Sequence, residues 1–453
     1  MKKLFSLFLA AVLLAGCAHT IPPADSGTLE DAPLAEAVYP EMAPYPNERD
    51  FIDPKTGIFD NDGFSVVYDA WRSNRNLRQD IPEEYANNLQ AYFIRSILAF
   101  LSGDNKNPVC SPLNVYMALT MLAECTGSDS RQEILELLHA DDLDSLRTQA
   151  NQVWRAHYCQ DGASSCVLAN SLWLDTHLPF HEETVNRLAH DYYASVFQCD
   201  LGTDSANQLL RQWLNDQTNG LLAEQADNLS MDPQTVLALA STIYYRAKWT
   251  NEFSPERNTE DIFYAPSGEH PATFMHTELT YGPYYWGDDF GAVSLRLEDG
   301  SKMWLILPDE GKTPAEVLSS EQATRLVLGS WQETDAQKSL RVNLSLPKFD
   351  VASSTGLNEA LKELGVSSVF DHHTADFSPI TTAENLWLDR VDHAARVKID
   401  EEGVEAAAYT VMMAAGAAMP PEDEIDFILD RPFLFFITSR DDLPLFAGIV
   451  NEP

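Results

Sequence analysis

A chain of 453 residues, 45% of them hydrophobic, can bury a substantial core, and its length alone permits about three domains or one large one. With 30 basic against 69 acidic residues the formal charge is -39, which repels nucleic acid and anionic lipid and points to a soluble, extracellular body. Nucleic-acid binding is the class these numbers disfavour most.

The chain begins MKKLFSLFLAAVLLAGC: two lysines, an apolar run from Leu4 to Leu14, small residues, then a cysteine. The run is shorter than the ~20 residues a membrane-spanning helix needs, so it reads as a secretory signal over residues 1–16. LAGC places Cys17 where bacterial lipoprotein signals are cut and the new N-terminal cysteine is lipidated. Several acyl chains, at ~0.8 kcal/mol per buried CH₂, would hold the protein on a membrane. The expected location is the cell envelope, lipid-anchored and facing its extracytoplasmic or extracellular side. Residues 17–80 are expected to be the lipidated tether, because the stretch from Ala18 to about Arg49 is rich in proline and small or acidic residues and has little apolar period.

Helical apolar spacing runs from Glu83 to Phe100, and another helix follows SPLNV through Ala123. SDSRQEILELL offers a capping box from Ser130 to Glu133 as the start of a third. CVLANSLWL reads as a strand, and the almost wholly apolar TVLALASTIYY as a strand buried on both faces. VSLRLEDGSKMWLIL predicts a hairpin turning at Asp299-Gly300 through positive φ angles. PFLFFITSRDDLPLFAGIV gives two more strands around an acidic turn. Five cysteines follow Cys17, namely Cys110, Cys125, Cys159, Cys166 and Cys199. Cys159 and Cys166 bracket the turn-like QDGASS, leaving a disulfide and a pair of buried thiols as open alternatives.

Enzyme signatures are missing from the sequence: there is no G-x-S-x-G elbow, Walker loop or G-x-G-x-x-G. HEETV at His181 has Val185 where a zinc protease carries its second histidine, so its acids read as a helix start. No zinc pattern is present, and neither a metal nor a cofactor is expected. The unusual feature is the uncharged run from Ala406 to Pro421 in so acidic a chain. With period two, Val404, Ala406, Ala408, Thr410, Met412 and Ala414 form one face with nothing bulkier than methionine, while Glu405 and Tyr409 fall on the other. The alanines favour helix, whereas Gly416 and Pro420-Pro421 break regular structure. A loop that later becomes a strand, a buried helix and a low-complexity loop all remain open on pattern alone.

NPVCSPLNVYMAL, LANSLWL, STIYYRAKWTNEF, LPKF, DFSPI, DEEGVEAAA, DRPFLFFIT and PLFAGIVNEP occur in this order from about Tyr85 to the C-terminus. In these strings the chain resembles the serpins, inhibitors of serine and cysteine proteases that insert a cleaved loop into their own sheet. The resemblance implies an α+β serpin fold over residues 81–453, with three β-sheets, about nine helices and an exposed reactive-centre loop. It implies a monomeric inhibitor rather than an enzyme, with no catalytic residue of its own. Its partner would be an elastase-like protease held as a covalent acyl-enzyme complex; the alternative is a non-inhibitory binding or scaffold serpin. By residue, Glu401, Glu402, Gly403, Val404, Glu405, Ala406, Ala407 and Ala408 match the loop hinge, and loop spacing puts the reactive bond at Ala417-Ala418. That register can slip to Ala415 or Met419. Trp249, Lys348 and Glu401 match the top of the main sheet. Ser111, Asn114, Ser241 and His393 match the mid-sheet shutter, with Asn114 and Ser241 exchanging the family's usual serine and asparagine.

Overall fold

A computed structural model of the chain describes residues 33–74, 81–102, 106–227, 229–232, 235–331, 336–404, 421 and 423–453. Sixteen strands are present among them. The first eight are β1 (Val109–Cys110), β2 (Cys159–Gln160), β3 (Ser165–Asp175), β4 (Ala194–Cys199), β5 (Leu237–Lys248), β6 (Thr259–Ala265), β7 (Gly268–Trp286) and β8 (Phe290–Arg296). They continue as β9 (Lys302–Pro308), β10 (Gln337–Pro347), β11 (Phe349–Gly356), β12 (Asp392–Ile399), β13 (Gly403–Val404), β14 (Glu424–Ile428), β15 (Phe433–Thr438) and β16 (Pro444–Val450). Eleven α-helices accompany them among the described residues. The first seven are α1 (Asn61–Asn74), α2 (Leu89–Leu101), α3 (Pro112–Cys125), α4 (Ser128–Leu137), α5 (Leu143–His157), α6 (Glu182–Asp191) and α7 (Asp204–Gln217).

The strands form two hydrogen-bonded sheets, where three were expected from the resemblance. One has nine strands in the order β1-β16-β15-β9-β8-β7-β10-β14, with β6 on β7; the nineteen-residue β7 is long enough to pair with β6, β8 and β10 and so join what would otherwise be separate sheets. The other runs β11-β12-β13-β5-β3-β2, with β4 on β3. Phe349 of β11 lies 5.9 Å from Phe433 and 5.2 Å from Phe435 of β15, ring to ring, and Phe263 of β6 meets Phe433 at 6.4 Å. Such aromatic pairs bury large areas and fix how the sheets pack. Thirteen residues of α3 are buried, which makes it a helix of the interior rather than of the surface.

Local sequence rules hold in some places and are overridden in others. β3 and β5 occupy the expected strings, and β3 is buried along its whole length. β5 differs from expectation, since its first five residues, Leu237 to Ser241, are only partly buried. In the β8–β9 hairpin only Gly300 of the Asp-Gly pair takes a positive φ, at 93°, because a longer loop closed by Leu297 and Ser301 needs one such residue. α2 begins at Leu89 rather than Glu83. The expected capping box does not form: α4 starts at Ser128, Ser130 Oγ accepts from the Asp376 amide, and Glu133 accepts from the Ser367 and Ser368 amides. Those two side chains satisfy a loop more than two hundred residues away instead of their own helix end.

Of the stretch expected as tether, residues 33–74 are described and are structured. Ala35 exchanges backbone hydrogen bonds with Val196 on the edge of β4, and the Tyr39 ring packs 5.3 Å from Trp154 and 5.5 Å from Tyr158. Phe64, Tyr68 and Trp71 share one face of α1, where Phe51, Phe59 and Tyr45 meet them. Among the described residues no helix is long and apolar enough to cross a membrane.

Candidate functional site

The site lies in the seven-stranded sheet, where β12 turns back and enters the sheet as β13. Asp400, Glu401, Glu402 and Gly403 make the turn: Asp400 Oδ1 accepts from the amides of Glu402 at 2.9 Å and Gly403 at 3.3 Å, and the Asp400 amide donates to Gly403 O at 3.1 Å. An aspartate at such a position is a strong turn former. Gly403 then passes so close to β5 that a Cβ there would lie 2.3 Å from Ala247 O and 2.8 Å from Lys248 Cα. Only glycine fits. Val404 follows with its side chain buried, paired with Ile399 of β12 on one side and Ala247 of β5 on the other.

Above this entry, Trp249 is buried, donates from Nε1 to Asp400 O at 2.9 Å and from its amide to Glu402 O at 2.9 Å. Phe253 donates its amide to Glu401 O, and its ring stands edge-on to Trp249 at 6.0 Å. The Glu401 carboxylate is 2.5 Å from Lys348 Nζ and accepts a hydrogen bond from Asn258 Nδ2. Burial alone would raise its pKa, but the Lys348 ammonium and the Asn258 amide outweigh that and hold the carboxyl below its ordinary range. Thus the predicted trio of Trp249, Lys348 and Glu401 comes together around the mouth of β13.

Halfway down the sheet the N-terminus of α3 spans β5 and β12. Ser111 caps the helix, accepting from the Asn114 amide at 3.3 Å, and Pro112 takes the first helical position. The Ser111 amide donates to His393 Nε2 of β12 at 2.9 Å, which fixes the ring proton on Nδ1. Burial pushes the His393 imidazole down to about 4. Toward β5, Asn114 Nδ2 donates to Ser241 O at 3.0 Å, and the Ser241 hydroxyl faces two acceptors, Asn114 Oδ1 and, at 2.8 Å, Asn170 Oδ1 of β3. Asn170 in turn donates from Nδ2 to Tyr192 O at 2.9 Å. All four predicted mid-sheet residues therefore share one network, in which Ser111, Asn114 and His393 are buried and Ser241 partly so. Among the described residues β13 is the one element pairing with the facing edges of β5 and β12.

Sequence reasoning missed Asn170, Asn258 and Asp400. A polar residue inside the apolar string LANSLWL was the available signal for Asn170; nothing local marks Asn258. Glu405, Ala406, Ala407, Ala408, the bond at Ala417-Ala418 and Cys17 lie outside the described residues. Although no zinc pattern was expected, Asp175, His177 and Asp200 bring ligand atoms within 4.8 Å of one another. Asp175 is already engaged there, accepting from the amides of His177 at 2.7 Å and Leu201 at 3.2 Å, so the group reads as a turn lock between β3 and β4.

A family model described as "Serpin (serine protease inhibitor)" matches residues 90–453. An uncharacterized serpin-like protein of Thermococcus kodakarensis is 29% identical over 361 residues, covering 78% of this chain and 82% of the relative. A leukocyte elastase inhibitor of Homo sapiens is 27% identical over 367 residues, covering 78% of this chain and 96% of the relative. Among solved structures, the native state of the thermophilic serpin tengpin superposes with a TM-score of 0.73 at 24% identity, covering 83% of this chain and 96% of that one.

Proposed function

The chain belongs to the serpin family, and we propose that it is an irreversible inhibitor of elastase-like serine or cysteine proteases, anchored in a bacterial cell envelope by lipid on Cys17 and facing its extracytoplasmic or extracellular side. The observation that carries the reading is β13: just ahead of Glu405 and the uncharged run, Gly403 pairs with Lys248 of β5, and the buried Val404 pairs with both Ala247 of β5 and Ile399 of β12. Insertion of a serpin loop is a known case of strand addition.

In this mechanism the protease nucleophile attacks the Ala417 carbonyl, the bond to Ala418 breaks with its amine leaving, and an acyl-enzyme forms on Ala417. The loop then lengthens β13 before water can attack the ester or thioester. Each added ladder bond contributes only ~0.5–1.5 kcal/mol net. Ten or so, with burial of the small side chains of the inward face, sum to an order of tens of kcal/mol. Continuing the register of Val404 with Ala247 down to Leu237 gives β5 partners as far as Ala414, just short of the bond. Partial exposure of β5 from Leu237 to Ser241 is consistent with a strand edge that has more to bury. Small, uncharged Ala417 suits an elastase-type pocket, in keeping with the name of the human relative, and the loop offers no basic residue to a trypsin-like enzyme.

With Cys17 lipidated and Ala35 bound to β4, residues 17–34 are left to reach the membrane, ~60 Å when fully extended. Incubating the chain with an elastase tests the proposal: an SDS-stable complex and a released fragment beginning at Ala418 are expected. Cleavage outside Ala415 to Met419 refutes the assigned bond. Cleavage with neither a stable complex nor a higher melting temperature refutes inhibition and leaves a binding serpin with a loop that is merely cut.

A further inference from the structure

β2 and β3 form a hairpin at the upper end of the main sheet, and Cys159 and Cys166 are register partners across it. Antiparallel partners project on the same face with Cα atoms about 4.5–5.5 Å apart, inside the span a disulfide bridges. Both side chains are buried, so nothing exposed has to move between them. The remaining cysteines are placed apart: Cys199 is paired with Asp175 at the far end of β3, ~30 Å along the strand, and Cys125 ends α3, ~20 Å from Cys110 before its start. Cys159 and Cys166 are thiols in this structure, and burial, with the neighbouring Asp299 and Cys159, pushes the Cys166 thiol well up. A thiol so placed is unreactive once folded, which sets the time of any oxidation during folding.

We propose that Cys159 and Cys166 are joined by a disulfide formed as the exported chain folds. The two thiols lose two electrons and two protons to a disulfide oxidant, which leaves as its dithiol. The linkage rests on the export reading above, because only an extracytoplasmic compartment supplies such an oxidant. It has a definite place in the architecture. Cys166 is opposite Tyr245 on β5, two residues before Ala247, the partner of Val404, so the link fastens the hairpin beside the loop entry. On its other side the hairpin receives the N-terminal segment, through the Tyr45 amide on Asp161 O at 2.7 Å and Met42 Sδ beside the Gln160 amide at 3.2 Å. Closing the hairpin covalently therefore steadies both.

The test is refolding of the reduced full-length chain in a glutathione buffer poised near extracytoplasmic potential, followed by alkylation and peptide mass mapping. Cys159 and Cys166 should be recovered in linked form, two hydrogens lighter than the sum, with Cys110, Cys125 and Cys199 alkylated. Recovery of both as alkylated thiols overturns the proposal, whatever the fate of export, which is read separately from the N-terminal mass of the cell-derived protein. As a second readout, dithiothreitol should lower the melting temperature of the wild type by several degrees and leave the Cys159→Ser/Cys166→Ser variant unmoved. Equal response of both also overturns it.

Discussion

Exchanging the amide and hydroxyl at positions 114 and 241 is the sharpest perturbation of the mid-sheet network. Asn114→Ser removes the Nδ2 donor from Ser241 O and the Oδ1 acceptor from the Ser241 hydroxyl, which keeps Asn170 Oδ1. A partly buried carbonyl left without its donor costs ~1–2 kcal/mol, and the lost amide volume adds to it, so a loss of about 2–3 kcal/mol is expected. Ser241→Asn alone crowds a filled site, at ~1–3 kcal/mol. Together the changes restore volume and keep the donor and acceptor count, because one amide and one hydroxyl are present in either arrangement. The double variant should therefore lie within about 1 kcal/mol of wild type, a coupling of at least about 2 kcal/mol. Urea midpoints at constant slope measure all four corners of the cycle. Additivity within ~0.5 kcal/mol would show that the two positions do not act as one exchange.

Other perturbations address the entry point and its acid sensitivity. Val404→Arg buries a charge between β5 and β12 and should turn the proposed inhibitor into a substrate, read as full cleavage without an SDS-stable complex; a persisting complex contradicts insertion. Gly403→Ala drives a methyl into Ala247 O and Lys248 Cα and should expel β13, seen as faster proteolysis after Asp400, while Lys348→Ala should do so mildly, at about 1 kcal/mol, since Asn258 still holds Glu401. His393 titrates near 6.5 when unfolded and at about 4 when folded, so between these values the unfolded chain binds the extra proton. Stability is full above that window and falls as pH drops through it, by roughly 3 kcal/mol at ~1.4 kcal/mol per unit. His393→Gln should flatten that segment of the urea-midpoint profile, leaving the acid limb set by carboxylates such as Glu401.

What was legible in the sequence follows from range. β3, β5 and the β8–β9 hairpin carry their own apolar pattern and turn residues, so their strings sufficed. Lys348 with Glu401, and Ser111 with His393, came from the resemblance alone, because no local rule joins residues this far apart in the chain. Asn170 escaped for the same reason: alternation assigns it to a face of a strand without saying which neighbour's hydroxyl waits there. Ser130 and Glu133 misled in the opposite sense. Their spacing suits a helix cap, but the loop carrying Ser367, Ser368 and Asp376 offers those groups better partners.

Register makes one further demand on the proposed insertion. Val404 is opposite Ala247 and Ile399, and each antiparallel step down the loop takes one step up neither strand but down both. Six residues on, Thr410 arrives between Ser241 and His393, at the height where α3 ties β5 to β12. Thr410 holds the one hydroxyl on the inward face, and at that depth it can replace a donor to the network that the entering strand disturbs. Thr410→Val keeps the shape and deletes the hydroxyl, so it should leave the uncleaved protein unchanged and weaken the cleaved form by ~1–3 kcal/mol. After elastase cleavage its melting temperature should fall short of cleaved wild type by a few degrees, and Thr410→Ser should recover most of the difference. If cleaved Thr410→Val melts with cleaved wild type, the loop does not continue the register that β13 begins.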